Sequence, residues 1–223
     1  MTNGNGKIII LVGAPGAGKG TQAHMLEEQF KWPQISTGDI LRAIAKTDTD
    51  IGREVARIQK AGDLVSDAVL ADVVRDRTSK ADCDGGYILD GFPRTIAQAE
   101  MLENLAAEQE REICAIYVRV ERPELMQRLT GRRTCPLCNE IYNIHTRPPK
   151  HDEICDKHET PVQLVHRDDD REDVVENRIS KWVELTKPVY DYYRSTDRLA
   201  TVNGAAPVRE VFMQICEAIA VEC

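Results

Sequence analysis

Apolar and polar positions along the chain follow two rhythms. Continuous apolar runs, Ile8-Ile9-Ile10-Leu11-Val12 and residues 113–120 being the strongest, read as strands buried on both faces. Gly86-Tyr87-Ile88-Leu89-Asp90 reads the same way; Pro33-Gln34-Ile35-Ser36 and residues 199–202 are weaker strands. Between them apolar residues recur at helical spacing. Ala23, Leu26 and Phe30 share a face within residues 21–30, and Ile40, Leu41, Ile44 and Ala45 follow Ser36-Thr37-Gly38-Asp39, where Ser36 or Thr37 caps the helix. Further helices are predicted over 51–61, from Ser66-Asp67 through Leu70, Val73 and Val74, and through Met101 and Leu105. Three more cover 123–132, 170–194 with a bend at Pro188, and 208–220. Strands alternating with helices predict an α/β fold, a doubly wound five-stranded parallel sheet with helices on both faces. Ligands of such sheets sit at the carboxyl ends of the strands, where Gly13, Ser36 and Asp90 fall together.

From Gly131 to about Asp170 this rhythm stops. The segment is polar, carries four of the ten prolines, and holds three of the seven cysteines and all but one of the histidines. Forty structureless residues inside a compact domain are improbable, so the segment is read as a small folded insert held by something other than an apolar core. Cys135-x-x-Cys138 is followed, after sixteen residues, by Cys155-x-x-His158. Two paired knuckles at that separation match a structural zinc ribbon, and four protein ligands leave no open position for catalysis. A redox Cys-x-x-Cys leaves Cys155 and His158 unexplained; unpaired surface thiols are the other alternative. His151 and Asp156 stand as substitutes for His158. Cys83, Cys114, Cys216 and Cys223 lack such spacing and are assigned to packing.

Candidate chemistry centres on Gly13-Ala14-Pro15-Gly16-Ala17-Gly18-Lys19-Gly20-Thr21, between the first strand and the first helix. A strand, a glycine-rich turn and a helix form the context of a phosphate-binding loop. Glycines let backbone N–H groups converge, the helix N-terminus adds partial positive charge, and Lys19 lies along the outer phosphates. Gly20 stands where the general motif has a hydroxyl residue, and Thr21 follows it, which leaves direct coordination of Mg²⁺ by Thr21 open.

Composition narrows the classes. The 223 residues, 42% hydrophobic and 30% charged, favour one globular domain with insertions. No apolar run approaches the ~20 residues that span a bilayer. A net charge of −8 argues against broad nucleic-acid binding without forbidding a local cationic cleft. Residues 1–6 carry no basic or apolar signal region, and an odd number of cysteines fits reduced thiols better than a disulfide framework, so the cytoplasm is expected.

The loop Gly-x-Pro-Gly-x-Gly-Lys-Gly-Thr resembles that of adenylate kinases and close nucleoside monophosphate kinases. The likeness to bacterial-type adenylate kinase extends over residues 7–211. It implies a P-loop kinase core (1–35, 66–130 and 171–223) with an AMP-binding insert (36–65) and a zinc-bearing lid (131–170). It further implies that Gly16, Ala17, Gly18, Lys19, Gly20 and Thr21 hold ATP, together with Arg128, Arg132, Ile141, Tyr142 and Ala206. Thr37, Arg42, Asp63, Leu64, Val65, Gly91, Phe92, Pro93, Arg94 and Gln98 are implied to bind AMP, Gln98 by reading the adenine. Asp90 corresponds to the carboxylate that orients Mg²⁺ through water, and Arg167 and Arg178 bridge the transferring group. Lys19, Arg94, Arg132, Arg167 and Arg178 are thereby the catalytic set. The last zinc ligand of such lids is often Asp or Cys, so His158 is a departure. The implied reaction is reversible transfer from ATP to AMP, giving two ADP, by a monomer with no nucleic-acid or membrane partner. A phosphate monoester is already deprotonated at pH 7, so no general base is required, and fixed arginine forks supply what the reaction needs. A closing lid excludes competing water. The alternatives are a UMP/CMP-type kinase and a P-loop ATPase whose ribbon binds nucleic acid.

Overall fold

The computed structural model describes residues 6–221. Five strands form the main sheet: β1 (Lys7–Val12), β2 (Gln34–Ser36), β3 (Gly86–Asp90), β4 (Ile113–Arg119) and β7 (Leu199–Asn203). Their order is β2-β3-β1-β4-β7, every pair parallel, as the sequence pattern predicts. Register places Leu11 opposite Asp90 and Asp90 opposite Ser36, so three strand ends meet at one edge of the sheet.

The strands are apolar on both faces because both faces are covered. Ile8, Ile10 and Val12 point into one core with Leu70 and Val74 of α4 (Asp67–Thr78), Leu102 and Leu105 of α5 (Ile96–Glu108) and Val189 and Tyr193 of α8 (Lys187–Ser195). Ile9 and Leu11 point into the other core, which holds Ala23 and Leu26 of α1 (Lys19–Phe30) and Leu125 and Leu129 of α6 (Arg122–Thr130). Val175 and Ile179 of α7 (Glu172–Lys181) and Val211 and Ile215 of α9 (Val208–Val221) complete it. Each fully buried isoleucine contributes roughly 2 kcal/mol, so β1, whose three isoleucines have no exposed surface, anchors both layers.

Some boundaries differ from the sequence reading. α1 begins at Lys19 rather than Thr21, because Gly18 takes the N-cap in a left-handed conformation. α6 ends at Thr130, not 132: past the cap at Gly131 the chain turns into β5 (Arg132–Thr134), with Arg132 paired to Asn143 of β6 (Ile141–Asn143). The helix expected from 170 starts at Glu172 after a tight turn over Asp168–Asp170. A wide π-turn, Trp182–Thr186, joins α7 to α8, and Lys187 N–H donates to Trp182 O. Pro188 has no N–H to offer and its ring crowds the preceding turn, and the widened turn absorbs both effects.

Two segments stand apart from the sheet layers. α2 (Thr37–Ala45) and α3 (Asp50–Ala61) pack on each other, their N-termini capped by Ser36 and Thr49. β5 and β6 open a polar segment whose own apolar core is only Cys135, Tyr142, Cys155 and Leu164, with Val162 against them. Cys83 and Cys114 are buried in the main cores and Cys216 is half-buried on α9, in keeping with packing roles. Cys223 and residues 1–5 lie outside the described residues. Among those described, no helix is long and apolar enough to cross a membrane.

Candidate active site

A cavity of about 820 Å³ lies over the carboxyl ends of β1, β2 and β3. The glycine loop forms one wall. Gly16 has φ +83°, and a Cβ there would come within 2.8 Å of Leu129 Cγ, so the loop can lie flat on α6 only with glycine at this position. Lys19 folds back across the loop, its Nζ donating to Gly13 O at 2.8 Å and Ala14 O at 3.0 Å. Asp90 stands close to Gly20, where the hydroxyl residue is missing: a Cβ there would lie 3.2 Å from Asp90 Oδ2, a contact that the carboxylate relieves by shifting a few tenths of an ångström.

Opposite the loop, α2 and the turn after β3 meet. Thr37 Oγ1 donates to Gly91 O at 2.9 Å, and Arg94 Nε donates to the same carbonyl at 2.7 Å. Arg42 pairs with Asp39 one turn earlier on α2. The third wall comes from the chain at the two ends of the polar segment. Arg132 presents Nε and Nη2 to the two oxygens of Asp170 at 2.7 and 2.6 Å, and Arg178 reaches Asp169 and Asp170 at 3.0 Å each. Arg128 Nη2 donates to Gly204 O at 2.9 Å, tying α6 to the loop after β7.

Among the described residues, nine cationic and five acidic side chains line the cavity, an excess of four positive charges in a protein whose net charge is −8. The titration behaviour records this crowding. Burial brings Lys19 down to about 8, with Arg94, Arg178 and Arg132 adding repulsion against the pull of Asp90. Burial, and repulsion from neighbouring arginines, bring Arg94 and Arg167 to about 10. Burial lowers Arg178 as well. Burial also acts against the charge on Arg132, but its fork on Asp170 outweighs that and leaves it above its ordinary value. An excess of buried cations gathered beside the N-terminus of α1 makes a receptor for phosphate groups.

Of the residues expected from the sequence, Gly16 to Thr21, Thr37, Arg42, Asp63 to Val65, Asp90, Gly91, Pro93 and Arg94 all line this cavity. So do Arg128, Arg132, Ile141, Tyr142, Arg167, Arg178 and Ala206. Phe92 and Gln98 do not. Phe92 is turned into the core beside Leu102 and Leu105. Gln98 is fully buried behind the Arg94 turn, its amide shared between Arg94 N–H and Asp67. Tyr142 contributes little accessible surface, since its ring belongs to the core of the polar segment and its hydroxyl accepts from Asp156 N–H. Sequence reasoning missed Arg147, whose guanidinium lies 5.5 Å from the centre of the Tyr142 ring, and the two carboxylates that seat the arginines, Asp169 and Asp170. An acidic run flanked by arginines was the available signal for the carboxylates; nothing in the sequence distinguishes Arg147.

A separate cluster lies in the polar segment. The ligand atoms of Cys135, Cys138, Cys155 and His158 are all within 4.8 Å of one another. Cys138 and Cys155 sulfurs are 3.7 Å apart, and Cys135 Sγ is 3.3 Å from His158 Nε2. A tetrahedron with bonds of about 2.3 Å to sulfur has edges of about 3.8 Å, so the donor set fits one tetrahedral ion. Burial works against a thiolate at Cys135, but the backbone N–H groups of Cys138 and Leu137 prevail and bring it down to about 6. The alternatives to His158 are otherwise engaged: Asp156 accepts from Lys150 N–H, and His151 is exposed.

The sheet order, the glycine loop and the arginine-lined cavity between two inserted segments define a P-loop kinase acting on nucleotides. The family model for adenylate kinase matches residues 11–198, and the chain belongs to the adenylate kinase family. An adenylate kinase of Oceanobacillus iheyensis is 43% identical over 93% of this chain and 96% of its own length. Adenylate kinases of Thermotoga maritima (43%) and Methanothrix thermoacetophila (42%) each match 95% of this chain, over 96% and 97% of their own lengths.

Proposed function

We propose that the protein transfers a phosphoryl group reversibly from ATP to AMP, giving two molecules of ADP. The observation that carries this reading is the convergence of Lys19, Arg42, Arg94, Arg132, Arg167 and Arg178 on one cavity. The donor half is assigned to Gly16 through Thr21, with Arg128 toward its phosphates, Ile141 and Tyr142 where the lid meets the nucleotide, and Ala206 toward its base. The acceptor half is assigned to Thr37, Arg42, Asp63, Leu64, Val65, Gly91, Pro93 and Arg94.

The arginine forks fix both phosphate chains in line, and the charge developing on the equatorial oxygens falls among groups already oriented. Neither substrate needs a proton removed at pH 7, so no general base is assigned. Residues 131–170 act as a lid: Arg132, Arg167 and Arg178 sit at its two ends, so closure brings cations in and shuts water out together. Asp90 is assigned to Mg²⁺ through water; the ion, bound with ATP, neutralises phosphate charge. Cys135, Cys138, Cys155 and His158 are assigned to a structural zinc that folds the lid. The same reading assigns residues 36–65 to an AMP-binding insert and the protein to the cytoplasm, as a monomer with ATP, AMP and ADP as its partners.

The test is a coupled assay for ADP formation from ATP with AMP, UMP, CMP or GMP as acceptor. AMP-dependent turnover is expected. A preference for UMP or CMP, or ATP hydrolysis with no acceptor, overturns the reading.

A further inference from the structure

Asp67 opens α4 yet does not cap it. Its carboxylate crosses to the start of α5, where Oδ2 accepts from Thr95 Oγ1 at 3.2 Å and Oδ1 accepts from Gln98 Nε2 at 2.5 Å. Gln98 has no exposed surface, and its Oε1 accepts Arg94 N–H at 2.7 Å. Only one of the two amide orientations satisfies both neighbours, because a flipped amide would turn its NH₂ on the Arg94 N–H and its oxygen on the carboxylate. Thr95 and Gln98 have the spacing of a capping box, and Thr95 Oγ1 does accept Gln98 N–H. The glutamine, however, reaches past the cap to the residue before it. That residue is Arg94, whose guanidinium is held at its other end by Gly91 O.

We infer that Asp67 is a positioning residue for the acceptor phosphate, acting through the Gln98 amide on the backbone of Arg94. This deepens the proposed function and rests on it. Asp67 also stands two residues after the segment Asp63, Leu64 and Val65, so the carboxylate couples two parts of the acceptor half, that segment and Arg94. The donor half has no part in this network, and its constants are the internal control.

The experiment measures kcat and both KM values for wild type, Asp67→Leu, Asp67→Asn, Gln98→Met and the Asp67→Leu/Gln98→Met double variant. Wild-type turnover of AMP tests the proposed function itself, and the variants are scored only against it. Asp67→Leu is expected to raise KM for AMP about tenfold and lower kcat, with KM for ATP unchanged. Asp67→Asn keeps an oxygen for Gln98 Nε2 and restores most of the loss. Gln98→Met reproduces the Asp67→Leu defect, and the double variant is no worse than either single one. Additive losses, equal rises in both KM values, or an Asp67→Asn variant as impaired as Asp67→Leu overturn the inference. If Asp67→Leu fails to fold, Gln98→Met decides, measured with AMP and with IMP as acceptor: an unchanged KM and kcat, or a loss confined to AMP that places Gln98 against the adenine, refutes the relay.

Discussion

Asp170 holds Arg132 by both arms, at 2.7 and 2.6 Å, from a position with no exposure to solvent, and the same carboxylate reaches Arg178 at 3.0 Å. One anion therefore seats two cavity cations that arrive from opposite ends of the proposed lid.

Removing one partner of a buried ionic cluster leaves the others uncompensated, at a cost of about 3–5 kcal/mol. Asp170→Ala is expected to lose roughly 3 kcal/mol in urea denaturation and about a hundredfold in kcat, since both guanidiniums lose their orientation. Asp170→Asn, which preserves shape but not charge, should fall between. An Asp170→Ala variant with wild-type kcat would show that the two arginines are not part of the machinery.

Lys19 gives the site a pH signature. Burial sets its pKa near 8 in the free protein, below the usual 10.5. Bound phosphate raises it again, so above pH 8 binding must take up a proton. ATP affinity should be level below pH 8 and fall by up to about tenfold per pH unit from 8 to 10. The free protein has the opposite trend in stability. Its unfolded state binds more protons across this window, so stability rises with pH from 8 toward 10.5. Lys19→Met should abolish both trends and lower kcat by about a hundredfold or more. Calorimetric titration with ATP in buffers of different ionisation enthalpy checks the proton uptake, and a wild-type affinity with no break near pH 8 refutes it.

The polar segment has a core of four side chains, too few to offset the ordering of some forty residues. A chelator, or Cys155→Ser, is expected to release one equivalent of metal and unfold this segment while the five-stranded sheet persists. Hydrogen exchange by segment, with metal content measured alongside, separates the two regions. His158→Cys should retain a full equivalent, because a thiolate satisfies the same tetrahedral corner, whereas His158→Ala should bind weakly. Full protection of residues 131–170 in the metal-free protein would exclude a structural ion.

How much of this was legible in the sequence depends on where each signal resides. The β1 run and the glycine loop are local features, and both were readable because strand burial and phosphate binding leave contiguous traces. The clustering of Cys135, Cys138, Cys155 and His158 was readable because knuckle spacing is a covalent constraint. The network from Asp67 through Gln98 to Arg94 was not, since its members lie up to 31 residues apart and meet only when α4 packs on α5. Phe92 shows the same limit from the other side. Its neighbours Gly91 and Pro93 face the cavity, but the turn rotates Phe92 into the core, a choice made by the packing of Leu102 and Leu105.

That turn also supplies a direct test of the acceptor half. Gly91 has φ +82°, and a Cβ there would stand 2.8 Å from Arg94 Nη2 and 3.1 Å from Thr37 Oγ1. Gly91→Ala must therefore displace the guanidinium or the hydroxyl, and an alanine held at this φ costs roughly 1–2 kcal/mol in addition. Both displaced groups belong to the half assigned to the acceptor, and neither belongs to the glycine loop. KM for AMP should rise about tenfold while KM for ATP holds, with a modest fall in melting temperature. Steady-state kinetics with each nucleotide varied in turn decides the matter. A rise in KM for ATP alone would place the donor, not the acceptor, against Arg94.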